Sequence, residues 1–253
     1  MTTAQIQYYE NYGQPEPIVA AFDQLGILPH SLPNAIGMWP NEQECLVWSA
    51  LQCNPDENWW EVGSFCGGST ILLGFAQESL DGKGNIISVD PAPRPIMDLN
   101  IKRAKLNNRV VRCKITSAKA LSKNDSPISF LFLDGWHSFS AVLSEFEAAK
   151  PHLTDDAVIA FHDVSPKMWN YDKQYAHQCF DYTIKNWNQL INSSEQDFRI
   201  DEAVIYLCKE YGYEIINIPV REPLAYHKET NLDRWVRGRT SPHNAFTAIR
   251  KIK

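Results

Sequence analysis

Asp134-Gly135-Trp136-His137 and His162-Asp163 are polar clusters that pair an acid with an imidazole, and each follows an apolar run, Phe130–Leu133 and Ile159–Phe161. A carboxylate beside an imidazole can move a proton near neutral pH, and the same side chains can hold a divalent cation. One such cluster at a strand end could simply cap the next helix. Two on one rim of a parallel sheet point to a site. A third signal lies upstream, where Trp59-Trp60-Glu61-Val62 breaks at Gly63, turns through Gly67-Gly68 and enters the apolar stretch Ile71–Ala76. That pattern reads as strand, tight turn, helix. Its glycines permit positive φ and close approach of a ligand, and the helix start offers free N–H groups and a partial positive charge. The next apolar run, Ile86–Val89, ends in Asp90, whose carboxylate can accept both hydroxyls of a ribose. Turn and acid together read as a nucleoside site, against the alternative of an ordinary strand-to-helix turn.

These residues need a frame that brings strand ends together. From Asn58 the chain alternates apolar strands (59–63, 86–90, 110–116, 129–134 and 157–162) with helices at 69–78, 95–105, 118–121 and 139–153. The strands are nearly continuous in apolar character, as expected for parallel strands covered on both faces. Alternation of this kind predicts a doubly wound sheet with ligands at the carboxyl ends of its strands. Helices over 173–191 and 202–211 follow, then strands over 213–220 and 245–251 that could form an antiparallel final pair. Before the alternating region, Asn41 reads as an N-cap for a helix over 42–51, and Pro17 opens a helix to Leu25. Residues 1–40 form an arm that could cover the sheet, close over substrate or mediate a homodimer, with Tyr8, Tyr9, Tyr12, Trp39 and Trp48 available to line a pocket. The main domain spans 41–253, and within it 221–244 is too long for a simple hairpin and reads as a substrate-covering insertion.

Composition narrows the function classes. At 253 residues and 44% hydrophobic, the chain suits one large α/β domain. A net charge of −6 argues against a general nucleic-acid binder, despite late basic residues such as Arg234, Arg237 and Arg239. No apolar run approaches a membrane span, and the first residues lack the pattern of a signal peptide, so the expected location is the cytoplasm. Six scattered cysteines without a C-x-x-C pair suit small buried hydrophobes better than a disulfide frame or zinc site.

The turn has the form E-x-G-x-x-x-G-G-S-T rather than the G-x-G-x-x-G of dinucleotide folds. It resembles motif I of the class I S-adenosylmethionine (SAM) methyltransferases. The run D-G-W-H-S-F, with Val142–Leu143, Phe146, Leu153 and F-H-D-V after it, resembles the methyltransferase 24 family over about residues 41–165. That family's wider relatives are O-methyltransferases of the catechol, macrolide and sugar-tailoring types. The resemblance implies a doubly wound, Rossmann-like seven-stranded α/β sheet, mostly parallel with an antiparallel last strand. It implies SAM as cofactor, with Glu61 and the Gly63 backbone at its amino-acid end. Ser64, Gly67, Gly68 and Ser69 complete the turn, Asp90 meets the ribose, Ser117 and Ala118 flank the adenine, and Asp134 stands near the reacting carbon. Some relatives hold a divalent cation by an Asp after the fourth strand and an acidic or amide pair after the fifth. Asp134, His162 and Asp163 occupy those positions, with His162 where the catechol type has an aspartate.

The expected activity is methyl transfer from SAM to a small-molecule acceptor, at a hydroxyl, with Mg²⁺ or another divalent cation as an assisting ion. Asp134 and His137 are the candidate catalytic pair. His137 precedes a helix start whose positive end should favour the neutral, proton-accepting imidazole. Simpler roles stay open: His137 could hydrogen-bond to the helix start, His162 could be a satisfied semi-buried histidine, Asp163 could cap a turn and Ser117 could be an N-cap. A SAM- or nucleoside-binding protein without chemistry, or an NAD-type oxidoreductase, are the competing functions.

Overall fold

A computed structural model of the chain describes residue 38, residues 40–165, residue 168, residues 173–218 and residues 246–252. The strands are β1 (Asn58–Val62), β2 (Ile86–Val89), β3 (Val110–Cys113), β4 (Ile128–Leu133), β5 (Leu153–His162), β6 (Tyr213–Ile215) and β7 (Phe246–Lys251). Between them run α1 (Pro40–Ala50), α2 (Gly68–Ser79), α3 (Ile96–Arg103), α4 (Ser117–Leu121) and α5 (Phe139–Ala149). After β5 come α6 (Lys173–Lys185), α7 (Trp187–Ile191) and α8 (Ile200–Tyr211).

The seven strands form one sheet in the order β3-β2-β1-β4-β5-β7-β6. Strands β1 to β5 are mutually parallel, and β7 is antiparallel to both β5 and β6. The sheet is therefore parallel except for its last strand, as the resemblance implies. Strand order reverses between β2 and β4 across β1, so the crevice of an open α/β sheet falls there. Register sets which residues share its rim. Val62 is level with Val89 of β2 and Leu133 of β4, and Leu133 is level with Phe161 of β5. The residues just beyond, Gly63, Asp90, Asp134 and His162, are thus presented along one edge.

Strand alternation divides the core. Trp59, Phe130, Phe132, Val158 and Ala160 pack beneath α1 and α2, while Trp60, Leu131, Leu133, Ile159 and Phe161 pack against α5 and α8. Removing such side chains from water on both faces is what drives these runs into the middle of the sheet.

Several boundaries differ from the sequence expectation. Helix α1 starts at Pro40, so Asn41 lies inside the first turn rather than at the N-cap; proline suits a first helical position because its missing N–H would be unpaired there anyway. Helix α5 ends at Ala149, and Lys150–His152, which include Pro151, form a 3₁₀ turn. Strand β5 starts earlier than expected, at Leu153, and β3 and β6 are shorter. The proposed helix from Pro17, most of the 1–40 arm and the 221–244 insertion lie outside the described residues. None of the six cysteines forms a disulfide among the described residues, and Cys45, Cys53, Cys66 and Cys179 are buried. Among the described residues no helix is long and apolar enough to cross a membrane.

Candidate active site

The turn after β1 is shaped by backbone angles that few side chains tolerate. Gly63 has φ +90, and a Cβ built on it would lie 2.1 Å from the carbonyl oxygen of Asp134. Only glycine lets β1 and β4 approach this closely at their ends. Gly67, at φ 84, precedes α2. Two backbone donors then fix Asp90: the Phe65 N–H donates to its Oδ2 (2.9 Å) and the Ala92 N–H to its Oδ1 (2.8 Å). A carboxylate oxygen has two lone pairs, so each retains acceptor capacity toward the cavity.

That cavity, about 670 Å³, opens along the rim and includes Gly63, Ser64, Ser69, Asp90, Ser117, Asp134, His137, His162 and Asp163 in its wall. Its size falls within the range of small-molecule sites. The sequence-derived positions Glu61, Gly67, Gly68 and Ala118 do not line it. For Glu61 the reason is strand alternation, which turns it to the α2 face, opposite Val62. There it is fully buried, accepting hydrogen bonds from the hydroxyls of Thr70 and Ser88, and burial pushes its carboxyl up to about 7. Ser64 is also buried, and its hydroxyl in the cavity wall has no hydrogen-bond partner among the described residues.

Glu145 of α5 is a cavity residue that the sequence reading did not single out. It accepts a hydrogen bond from Ser117 Oγ (2.6 Å), and burial pushes its carboxyl up to about 7 against that bond. A folded-state value above the ordinary 4.5 means the native state holds a proton that the unfolded chain has released. Its contribution to stability is therefore full below about pH 4.5 and is lost as pH rises toward 7. In urea titrations at pH 5 and pH 8, Glu145→Gln is expected to lose roughly 2–3 kcal/mol less stability across the interval than the wild type. Equal losses would show that Glu145 is ionised without penalty.

At the other end of the cavity the polar clusters meet. His162 is 6% exposed, with Nδ1 3.1 Å from Asp134 Oδ1 and Nε2 3.0 Å from Oε2 of Glu42, a residue of α1. His137 Nδ1 is 3.0 Å from Asp163 Oδ2. Its Nε2 lies 3.3 Å from Asp134 Oδ1, close enough for charge attraction but without hydrogen-bond alignment. Burial works against the charged form of both imidazoles. For His162 it is outweighed by Asp134 and Glu42, which lift the ring well above its ordinary value. For His137 it is outweighed by Asp134 and Asp163. In turn, although burial favours its neutral form, Asp134 is held below the usual carboxylate value by the two histidines.

This corrects one expectation. His137 does precede a capped helix, since Ser138 accepts a bond from the Ala141 N–H (3.2 Å). The two facing carboxylates nevertheless outweigh the helix end and favour the protonated ring. The ring is also held from outside the rim: the Phe198 N–H donates to the His137 carbonyl (2.8 Å) and the Phe198 ring packs beside it. Glu42 and Phe198 are far from the cluster in sequence, and no local spacing marks either one.

Asp134, His162 and Asp163 each offer a ligand atom, and the three lie within 4.8 Å of one another. His162 Nδ1 is 3.1 Å from Asp134 Oδ1 and 3.8 Å from Asp163 Oδ1. Neighbouring ligands about 2.1 Å from one ion at right angles would be about 3 Å apart, so the donor set fits a divalent cation.

Comparison with known proteins bears on the fold. Residues 60–164, from β1 to just past β5, match a family described as a methyltransferase domain. No curated protein matches the chain in sequence. Among solved structures, a methyltransferase from Podospora anserina bound to SAH superposes with a TM-score of 0.57 at 12% identity, covering 99% of this chain and 94% of that one. The O-methyltransferase TomG from Streptomyces achromogenes, in complex with SAM, gives 0.53 at 11% identity, covering 100% and 97%. An O-methyltransferase from Bacillus cereus in complex with SAH gives 0.52 at 18%, covering 85% and 89%. At such identities the likeness speaks for the fold. Residues 60–164 thus match the methyltransferase-domain family model, and the sheet shares the fold of these solved methyltransferases.

Proposed function

We propose that this protein transfers a methyl group from SAM to a hydroxyl of a small-molecule acceptor, aided by a divalent cation. The observation that carries this reading is the shared cavity. The glycine turn and Asp90 stand at one end of the rim and the Asp134 cluster at the other, joined by the Asp134 N–H bond to the Val62 carbonyl (2.9 Å). The residues fit the cofactor: Asp90 has acceptor capacity for the ribose hydroxyls, and the Ser64 hydroxyl, without a partner among the described residues, is available to a polar ligand group.

Methyl transfer is an in-line displacement at a carbon already activated by sulfonium, so the protein's task is alignment and removal of the acceptor's proton. Alignment alone can supply several kcal/mol. In this reading Asp134 and His137, which lie 3.3 Å apart, take the proton, His137 after it has released its own. A cation held by Asp134, His162 and Asp163 would lower the hydroxyl's pKa. Met38, at the end of the 1–40 arm, is buried and lines the cavity, which supports a covering role for that arm.

Calorimetry tests the reading directly. SAM is expected to bind one site per chain; binding of NAD but not SAM would overturn it. Asp90→Ala is expected to weaken SAM about 10–100-fold, the loss of hydrogen bonds to a charged acceptor. Unchanged affinity would remove Asp90 from the ribose site.

A further inference from the structure

The Asp134 cluster has a member outside the matched family segment. Glu42 sits on α1, 1% exposed, beneath the sheet's rim and far from Asp134 and His162 in sequence. Its Oε2 faces Nε2 of His162 at 3.0 Å, while the opposite ring nitrogen faces Asp134. A five-membered ring gripped at one nitrogen by a buried carboxylate has little freedom to flip, and the gripped nitrogen keeps its proton. A cation entering the cavity would then displace the proton from the other nitrogen, the one that can offer a lone pair there.

We propose that Glu42 is a positioning residue. By accepting a hydrogen bond from Nε2–H of His162, it turns Nδ1 toward Asp134 and Asp163 and completes a one-nitrogen, two-carboxylate set for a transition-metal dication such as Mn²⁺. The proposal rests on the cation-assisted reading of the same site and adds two things to it, an outer partner and a metal preference. Carboxylates that hold the far nitrogen of a ligating histidine fix its orientation and raise its basicity, and losing one commonly reduces metal affinity 10–100-fold. An imidazole in the set also tilts the choice. Mg²⁺ favours oxygen ligands and near-ideal octahedral geometry, whereas Mn²⁺ and later first-row ions accept nitrogen more readily. Helix α1 packs on α2, β5 and β7, so Glu42 is delivered from a fixed element.

The test uses the full chain without SAM or acceptor, titrated with MnCl₂ and read by the electron paramagnetic resonance signal of free Mn²⁺. The wild type is expected to bind one Mn²⁺ per chain, at least about tenfold more tightly than Mg²⁺ measured by competition. Glu42→Ala is expected to weaken Mn²⁺ about 10–100-fold, and Glu42→Gln, whose amide oxygen still accepts from Nε2–H, to stay within about threefold. If Glu42→Ala does not fold, Glu42→Asp withdraws the acceptor by one methylene and should weaken binding likewise. The proposal is overturned if the wild type binds no Mn²⁺, if Mg²⁺ binds as tightly, or if the alanine or aspartate variant binds like the wild type. It is equally overturned if the glutamine variant loses as much as alanine does. Calorimetry with SAM on the same samples separates this result from the parent reading: absent SAM binding counts against the proposed function and leaves the Mn²⁺ comparison intact.

Discussion

Asp134→Asn is expected to reduce methyl transfer by about 10³-fold or more while SAM affinity stays close to that of the wild type. The carboxylate is the hub of the cluster, with Oδ1 3.1 Å from His162 Nδ1 and 3.3 Å from His137 Nε2. An amide of the same shape leaves the cavity's form intact, removes the charge and turns one acceptor oxygen into a donor. Both imidazoles then lose a facing anion, and both should fall back toward their ordinary pKa. The acceptor's proton loses its base, and any cation loses a ligand. Such a pattern, with turnover affected far more than cofactor binding, marks an interaction made at the reacting centre. Retention of full activity would remove Asp134 from the chemistry. A parallel loss of SAM affinity and turnover would instead place it in cofactor binding.

The second large effect is structural. Gly63→Ala would put a methyl group 2.1 Å from the Asp134 carbonyl oxygen, in a backbone conformation of φ +90 that alanine adopts only under strain. The neighbouring atoms are backbone on β4's end, held by the Asp134 N–H bond to Val62, so they cannot swing aside as a flexible side chain would. Strain and forced separation of the strand ends should destabilise the fold by roughly 3–5 kcal/mol, and the surviving folded fraction should bind SAM poorly. Unfolding in urea measures the first effect and calorimetry the second. A variant as stable as the wild type would mean that the two strand ends can part freely.

How much of this could be read before the structure depends on the range of the interactions. The runs 59–63, 86–90 and 129–134 announce themselves because burial on both faces demands nearly unbroken apolar character. Their parallel direction follows from the alternation with helices, and that puts Gly63, Asp90, Asp134 and His162 on one edge. Relationships that cross the fold leave no local trace. Glu42 looks like any acid in a helix's first turn until α1 is laid against β5, and Glu145 reads as one more charge in an amphipathic helix until Ser117 meets it. The protonation of His137 differs from the expectation because the helix start is a local feature, whereas the closeness of Asp134 and Asp163 to the ring appears only in the fold. Glu61 is the complementary case: its position in the motif is plain, and period-two alternation turns it to Thr70 and Ser88 rather than into the cavity wall.

The account stands on where an adenosine-bearing methyl donor would rest, and a crystal structure of the protein grown with SAH measures that placement. The predicted result is density across the β1 and β2 ends, with both ribose hydroxyls within hydrogen-bonding distance of Asp90 and the sulfur facing Asp134. Density for SAH elsewhere on the protein, or a ligand in this cavity whose sulfur points away from Asp134, would contradict it.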